Sequence, residues 1–235
     1  MPEVTDNVLD DLLEKSDLDN STLSQFEMAS GKQLEIYPKS INKVDNTYFF
    51  IAKQGTDKAL YLIAGKDDRT YLDMFDGTVQ GEASINGAAV IKECPMHHEN
   101  ANILREQFAF TRAIVVGLTN SYGLGDRLGL ANPGHLRAIQ STDFKPVLAQ
   151  QSIRELERTN RNPDEVMDTA SWAVFEEGYK DGFGSDADHL KTPDDIDYMM
   201  KSGFTMFTID PSEHVVNEAD SLPIEELEKQ VNALP

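Results

Sequence analysis

The tetrapeptide Asp186-Ala187-Asp188-His189 combines residue types and spacing that suit catalysis. Alternate side chains of a strand face the same side, so Asp186 and Asp188 point together, and the strand end can redirect His189. A carboxylate beside an imidazole can act as a general base next to a metal ligand. A purely capping role for the next helix is less favoured, because Thr192 already stands at the capping position. The pattern therefore favours a functional site.

A glycine-rich stretch, SYGLGDR at residues 121–127, is the second candidate. Its glycines let the backbone approach a ligand closely, and Asp126 and Arg127 can hold hydroxyl groups or a carboxylate. An internal salt bridge beside a glycine turn explains the stretch equally well. The glycine spacing misses the dinucleotide-binding fingerprint by one residue, and the sequence contains no P-loop. A nucleotide site is therefore not predicted.

The other histidines and the single cysteine are predicted to be mainly structural. His97 and His98 resemble metal ligands, but adjacent side chains rarely point the same way, so a helix start is favoured. His135 lies in a predicted first helical turn. His214 is either a ligand or, preferably, an exposed loop residue. Cys94 follows an apolar run, which is typical of a buried, unreactive thiol.

A repeating strand–helix pattern positions these residues in the second half of the chain. A continuous apolar run, AIVVGLT, predicts a strand at residues 113–119, and further strands are predicted at 144–152, 183–189 and 204–210, each followed by a helix. Three helices are expected to begin with a capping residue and a proline, at Asn132-Pro133, Asn162-Pro163 and Thr192-Pro193. Such alternation predicts parallel strands with right-handed crossovers, in either a doubly wound sheet or a (βα)8 barrel.

All four predicted strands end in polar sequence. The carboxyl ends of parallel strands meet at one rim of the sheet, where α/β enzymes keep their working residues. The polar segments are therefore expected to share one mouth: residues 120–127, 150–152, 186–191 and 210–214.

Residues 30–95 have a different character. Short aromatic or β-branched runs, separated by turn sequences such as QGTD and GKDD, predict an antiparallel sheet. The runs are QLEIY, TYFFIA, ALYLIAG, RTYLDMF and AAVIKE, and HHENANILREQ is expected to form a helix after them. The first residues fit either a short amphipathic helix or a frayed terminus. The predicted organisation is an acidic segment (1–28), an α+β region (29–110) and a βα-repeat region (111–235).

The composition limits the possible partners and compartments. The net charge is −20 over 235 residues, which argues against binding to a phosphate backbone. No apolar run approaches the roughly 18–20 residues of a membrane span. One cysteine excludes an internal disulfide and a thiolate metal cluster, so a cytoplasmic location is expected.

Five segments resemble the tagaturonate epimerase family: CPMHHENANILREQFAFTRA, SYGLGDRLGLANPGHLRAIQ, KPVLAQQSIREL, GFGSDADHLKTPDDID and FTMFTIDPSEHV. The resemblance implies an isomerase that interconverts D-tagaturonate and D-fructuronate, both small sugar acids, in bacterial hexuronate catabolism. It also implies a barrel-like fold and a divalent metal of zinc or manganese type. The expected fold class is α/β: a partial (βα)8-type barrel of about four βα units, preceded by a small, mainly antiparallel β region.

The chemistry implied by the resemblance assigns roles to individual residues. The two sugars differ at a hydroxyl-bearing carbon β to the ketone, which retro-aldol cleavage and re-addition can invert but α-proton abstraction cannot. A base must take the hydroxyl proton, and a metal must stabilise the enediolate. Asp188 is the candidate base and His189 the candidate metal ligand. Asp126, Arg127 and Gln151 are candidates for holding substrate hydroxyls or the carboxylate.

The chain is shorter than members of this family. A (βα)8 barrel needs about 250 residues, and a catalytic zinc usually takes three protein ligands, whereas His189 and at most His214 are candidates here. An N-terminal fragment, inactive alone and with exposed apolar edges, is therefore expected. The alternatives are a stand-alone sugar-acid-binding half-barrel that forms a homo-oligomer to close its sheet, or another metal-dependent sugar isomerase or aldolase.

Overall fold

The computed structural model describes residues 25–27, 33–84 and 88–233, and its first part is a seven-stranded antiparallel sheet. The strands are β1 (Gln25–Glu27), β2 (Gln33–Ile36), β3 (Asn42–Val44), β4 (Thr47–Gln54), β5 (Asp57–Gly65), β6 (Thr78–Ser84) and β7 (Ala88–Cys94). Six of them lie in the order β1-β2-β4-β5-β7-β6, and β3 pairs with β4. The predicted antiparallel sheet is confirmed, while the predicted N-terminal helix lies outside the described residues.

One predicted strand of this region, residues 69–75, is wrong. It forms the short helix α1 (Thr70–Met74), which turns the buried side chains of Tyr71 and Phe75 into the core. These residues stand four positions apart, the spacing of one helix face. The ammonium of Lys92 donates to the carbonyl of Phe75 at 2.6 Å and so fixes the end of the helix. Strand β6, which follows, was missed because its sequence TVQGEAS lacks an apolar run.

The second part of the molecule is a parallel sheet covered by helices. Its strands are β8 (Ser121–Gly123), β9 (Lys145–Ser152), β10 (Gly184–Leu190) and β11 (Met206–Ile209). The helices after α1 are α2 (His98–Gln107), α3 (Asn132–Ile139), α4 (Ile153–Thr159), α5 (Pro163–Glu176), α6 (Pro193–Lys201) and α7 (Ile224–Asn232). The expected helix after the antiparallel sheet and the four helices predicted after the strands are all present.

The order of the parallel strands distinguishes the two predicted architectures. The strands lie as β11-β10-β9-β8, so each neighbours the next one along the chain and all pairs are parallel. A doubly wound sheet would reverse its order at a switch point. The order is therefore that of a consecutive section of a (βα) barrel, four strands wide in the described part of the chain.

The first predicted parallel strand, residues 113–119, is largely wrong. Only Ala113 forms a bridge, to Phe183, and the chain then leaves the sheet. Val115 is 75% exposed and Leu118 is fully exposed, so this apolar run is not covered on both faces. Gly117, with φ of +61°, turns the chain before β8 begins. The strand at this place in the sheet is β8, which is shorter than the predicted strand and begins further along the chain.

Helix starts were predicted well at two of three positions. Asn162 and Thr192 each form a capping box, with Glu165 and Asp195 respectively. Asn132, in contrast, is the first helical residue, and its side chain caps nothing. Helix α4, which was not predicted separately, begins with its own capping box between Ser152 and Glu155.

Helix α5 joins the two parts of the molecule. Trp172 and Phe175 pack against the antiparallel sheet and α2, whereas Val166 and Ala170 pack against the parallel sheet. The helix is buried on nearly all sides, as expected of a helix between two layers.

Ion pairs at the carboxyl end of α5 add to this junction. The Lys58 ammonium of β5 lies 2.6 Å from the Glu176 carboxylate, and the Arg137 guanidinium of α3 lies 2.7 Å from Glu177. Burial raises the pKa of Glu176, although its hydrogen bond to Lys58 opposes the change. The folded protein therefore binds the Glu176 proton more tightly than the unfolded chain does.

Substituting Glu176→Gln is expected to change how stability depends on pH. Glu176 makes its most favourable contribution below its ordinary pKa, and this contribution is lost as the pH rises through the raised pKa of the folded state. The wild type should thus lose stability relative to the variant over that interval. Urea unfolding of both proteins from pH 4 to 8 measures the difference. A constant difference across the range would contradict the assignment.

Several large apolar side chains remain exposed around the parallel sheet, as expected for an open edge: Val115, Leu118, Leu128, Leu130, Met206, Ile209, Ile224 and Val231. No helix of the described chain has the length and apolar character needed to cross a membrane.

Candidate active site

Asp188 and His189 form a close side-chain pair at the carboxyl end of β10. Nδ1 of His189 lies 2.7 Å from Oδ1 of Asp188, a contact that is an ion pair when the imidazole is protonated. The Asp188 side chain is 15% exposed and the His189 side chain 59% exposed. The carboxylate is thus partly sheltered beside an imidazole that reaches solvent, which suits a base beside a ligand-binding group.

The backbone of His189 is in the left-handed region, with φ of +55°. This conformation costs a non-glycine residue roughly 1–2 kcal/mol, and such residues cluster at functional sites. It interrupts the alternation of β10, so that His189 turns away from the strand. The strand end thus departs from regular strand geometry at His189, where the sequence suggested that the side chain is redirected.

Replacing His189 by glycine should give a more stable protein than replacing it by alanine. Both variants lose the imidazole, but only glycine adopts a positive φ without strain, so a difference of about 1 kcal/mol is expected. Thermal or urea unfolding measures it. The same pair of substitutions at Asn160, where φ is +51°, is a positive control. Equal stability of the two His189 variants would contradict the strained conformation.

A polar row crosses the inner face of the sheet one layer below this pair. Gln150 Nε2 donates to Asp186 Oδ2 at 3.3 Å, and Thr208 Oγ1 donates to Asp186 Oδ1 at 2.8 Å. On the other side, a Cβ at Gly123 would lie only 2.8 Å from Gln150 Oε1, so glycine makes room for this amide. Barrel interiors are usually filled with bulky apolar side chains, so a polar row here indicates a binding function.

Asp186 is the buried member of this row. The residue is 4% exposed, and burial raises the pKa of its carboxyl group, whereas the hydrogen bonds from Thr208 and Gln150 lower it. A buried carboxyl group with a raised pKa at a strand end is a typical feature of enzyme sites. The sequence had singled out Asp186 as part of the tetrapeptide, but it gave no signal for Thr208.

Gln151 lies on the other face of β9. It is fully buried; its Nε2 donates to Thr159, and its Oε1 accepts from Arg161 at 3.1 Å. Its partner in the sheet register is Ala187, which packs in the core beneath the helices. The sequence suggested Gln151 as a substrate contact, but the structure brings its neighbour Gln150 to the carboxylates instead, because successive side chains alternate.

Asp126 orders the loop between β8 and α3. Its carboxylate accepts hydrogen bonds from four backbone N–H groups, those of Leu128, Leu130, Ala131 and Asn132. These bonds outweigh the effect of burial and lower the pKa of Asp126. Asp126 therefore supplies the cap that Asn132 was expected to provide, and its contacts are with backbone rather than with the open mouth.

Arg127 connects the same loop to the rim of the sheet. Its Nε lies 2.9 Å from Glu155 of α4, and its Nη1 donates to the carbonyl of Gln150 at 3.1 Å. A Cβ at Gly125 would overlap the guanidinium, so a glycine is needed at that position. The salt bridge left open by the sequence is present, and the Arg127 side chain remains 39% exposed beside the polar row.

The expected common mouth is thus only partly formed. Arg127 contacts the backbone of Gln150 on β9, next to the strand that carries Asp188 and His189. A cleft of about 340 Å³ opens beside His189, between α4 and the segment after β11, and Asp188, Arg127 and Gln150 do not line it. Asp126 and Gln151 support this rim from behind.

Comparison with known protein families supports the family that the sequence resemblance implied. The model of the tagaturonate epimerase family matches residues 37–235. The chain belongs to the tagaturonate epimerase family.

Individual family members show how much of their own length this chain covers. The tagaturonate/fructuronate epimerase of Thermotoga maritima is 42% identical over 195 residues, which are 83% of this chain and 39% of that protein. A crystal structure of the fructuronate–tagaturonate epimerase of Cohnella laeviribosi with one glycerol matches with a TM-score of 0.76 at 37% identity, covering 88% of this chain and 40% of that one. The corresponding structure with two glycerols matches with a TM-score of 0.77 at 33% identity, covering 96% and 42%. The chain spans about two fifths of the length of these epimerases.

The donors of this epimerase-family chain fit one ligand position of a metal site. Nδ1 of His189 lies against the Asp188 carboxylate, and the second nitrogen of a metal-bound histidine usually contacts a carboxylate in this way. However, the described residues contain no group of three histidine, cysteine or acidic side chains arranged to hold an ion. They do not complete a three-ligand site.

The remaining histidines and Cys94 behave largely as predicted. His97 caps helix α2 by accepting from the Asn100 amide, and His214 lies exposed in a short turn. His98 pairs with Asp168 at 2.9 Å, beside a separate cavity of about 440 Å³. Cys94 is buried, which raises the pKa of its thiol to about 12 and makes it a poor nucleophile.

Proposed function

We propose that this chain contributes the first half-barrel of an enzyme that interconverts D-tagaturonate and D-fructuronate. The carrying observation is the Asp188–His189 pair at a strand end, directly above a polar row on the inner face of the sheet. Membership of the tagaturonate epimerase family supports the substrate class. A closed (βα)8 barrel, with further strands completing the four described here, is part of the proposal.

The proposed reaction is retro-aldol cleavage followed by aldol re-addition. The carboxylate of Asp188 takes the proton of the hydroxyl group β to the ketone, and the adjacent carbon–carbon bond breaks to give an aldehyde and an enediolate. The aldehyde then presents its other face, the bond re-forms, and the proton returns from Asp188 to the new alkoxide. Atoms and charge balance, because the proton borrowed in the first step is returned in the last.

The residues around Asp188 have supporting roles in this proposal. The imidazole of His189 lies against Oδ1 of Asp188, which leaves the second carboxylate oxygen to accept the proton. The exposed part of the Arg127 guanidinium binds the carboxylate of the sugar acid. Asp126 and Gln151 act indirectly, by ordering the loop and the Arg161 side chain behind the rim.

The proposal includes a divalent metal of zinc or manganese type. Nε2 of His189 would supply one ligand, and the others would come from residues outside those described. Such an ion would stabilise the negative charge that develops on the ketone oxygen.

The proposed function is tested by incubating a full-length enzyme that contains this chain with D-tagaturonate in deuterated buffer, with added Mn²⁺ or Zn²⁺, and following D-fructuronate by NMR. The retro-aldol route never breaks the C–H bond at the inverted carbon, so the product should carry no deuterium there. A chelator should stop the reaction. Deuterium at the inverted carbon would contradict the mechanism, and failure to bind either sugar acid would contradict the function.

A further inference from the structure

We propose that Asp186 is a positioning residue, which holds Gln150 and Thr208 as hydrogen-bond acceptors for the hydroxyl groups of a sugar acid. The identity of this ligand rests on the proposed function, whereas the positioning role rests on the geometry of the polar row.

Asp186 is placed between two side chains that a ligand can reach. It lies on the central strand β10, with Gln150 on β9 at one side and Thr208 on β11 at the other. Asp186 itself is buried, Gln150 is half-buried and Thr208 is exposed. A ligand in the mouth would therefore contact the two flanking residues, and Asp186 would act through them.

The hydrogen bonds to Asp186 fix the orientation of the Gln150 amide and of the Thr208 hydroxyl group. Gln150 directs its amide N–H towards Asp186, so its Oε1 is turned towards Gly123. Thr208 donates its only hydroxyl proton to Asp186, so the lone pairs of its Oγ1 can accept hydrogen bonds from other donors. A carboxylate at position 186 thus makes both neighbours acceptors. Sugar hydroxyl groups are the matching donors.

Gly123 completes this arrangement. A Cβ at this position would lie 2.8 Å from Gln150 Oε1 and 3.2 Å from its Nε2, so any larger residue would push the amide away from its place. The row therefore depends on one residue from each of the four parallel strands, and the exposed surface it offers is lined with acceptors.

The positioning role is tested first without a ligand. The side-chain amide of Gln150 should give one proton signal shifted downfield of its usual position in a ¹⁵N-resolved NMR spectrum, since one N–H is held by Asp186. Substituting Asp186→Ala should move this signal to the position typical of an exposed glutamine. Thr208→Val, at an exposed position, is a milder variant that removes one bond to Asp186 and should move the Gln150 signals less.

A matched control removes a different hydrogen bond of β10, one that joins it to the residue just before β11. Ser185 accepts from the Thr205 amide at 2.9 Å and is also fully buried. Ser185→Ala should lower stability without changing the Gln150 signals. If Ser185→Ala and Asp186→Ala disturb the Gln150 amide equally, or if neither does, the positioning role is overturned.

The second experiment adds D-tagaturonate or D-fructuronate. In the wild type, the Gln150 amide and the Thr208 resonances should shift on titration, and Asp186→Ala should weaken binding about tenfold through the loss of one or two oriented hydrogen bonds. If the sugar acids shift His189 but leave Gln150 and Thr208 unmoved, this inference fails and the proposed function stands. If neither sugar acid binds, the proposed function fails, and with it the ligand assigned to this row.

Discussion

Replacing Asp188 by asparagine in a full-length enzyme should lower the rate of epimerisation by about 10²- to 10⁴-fold, the usual contribution of a general base. The amide has nearly the same shape and keeps an oxygen beside His189, so the fold should be retained. It cannot take the hydroxyl proton. The affinity for D-tagaturonate should therefore change little while turnover falls, as measured by NMR detection of D-fructuronate and by calorimetric titration.

Asp73 provides the matched control for this variant. It is an exposed carboxylate of helix α1, in the part of the molecule that holds the antiparallel sheet, and it accepts a hydrogen bond from Arg69 at 2.7 Å. Asp73→Asn removes the same charge and can still accept that bond, so it should turn over near the wild-type rate. An Asp188→Asn protein as active as the Asp73→Asn protein would remove Asp188 from the mechanism.

Replacing Phe175 by alanine should destabilise the protein by about 3–5 kcal/mol, the usual cost of emptying a buried aromatic site. The Phe175 ring is fully buried, and its centroid lies 5.1 Å from that of Phe108 and 6.1 Å from that of Phe110. The cavity would open where α5 meets the antiparallel sheet. Urea unfolding should show a clearly lower midpoint.

The control for this substitution is Phe144→Ala. Phe144 is 42% exposed and stacks edge-on against Tyr122 at the edge of the parallel sheet. The Phe144 side chain buries much less of its surface than Phe175 does, so its removal should lower the free energy of unfolding far less. Similar midpoints for the two variants would show that α5 does not hold the two parts of the molecule together.

The sequence predicted the elements that carry strong local signals. Proline after a capping residue identified the starts of α5 and α6, and the apolar runs identified β9, β10 and β11. The Asp188–His189 pair was found because neighbouring residues at a strand end must lie close together. These features depend on the residues themselves and their near neighbours.

The choice between Gln150 and Gln151 could not be made in this way. The register between β9 and β10 shifts where Gly184 pairs with Val147 and Ser185 pairs with Ala149. One residue of β9 is skipped there, and a single skipped residue reverses which side chains face the core. Long-range pairing, which sequence alone does not reveal, therefore decided which glutamine belongs to the polar row.

The roles of Asp126 and Thr208 also could not be predicted from the sequence. Asp126 accepts hydrogen bonds from four backbone amides that become neighbours only when the loop folds. Thr208 is a lone polar residue in an apolar strand. At residues 113–119 the sequence predicted a buried strand that the structure does not form. An exposed apolar segment has the same composition as a buried strand, so composition alone does not separate the two.

The location of the sugar acid tests the central claim most directly. The chain has five histidines, His97, His98, His135, His189 and His214, and their imidazole signals can be followed individually by NMR. Addition of D-tagaturonate should shift His189 strongly and leave His98, beside the other cavity, unchanged. A shift of His98 with an unmoved His189 would contradict a sugar-acid site at the carboxyl end of β10.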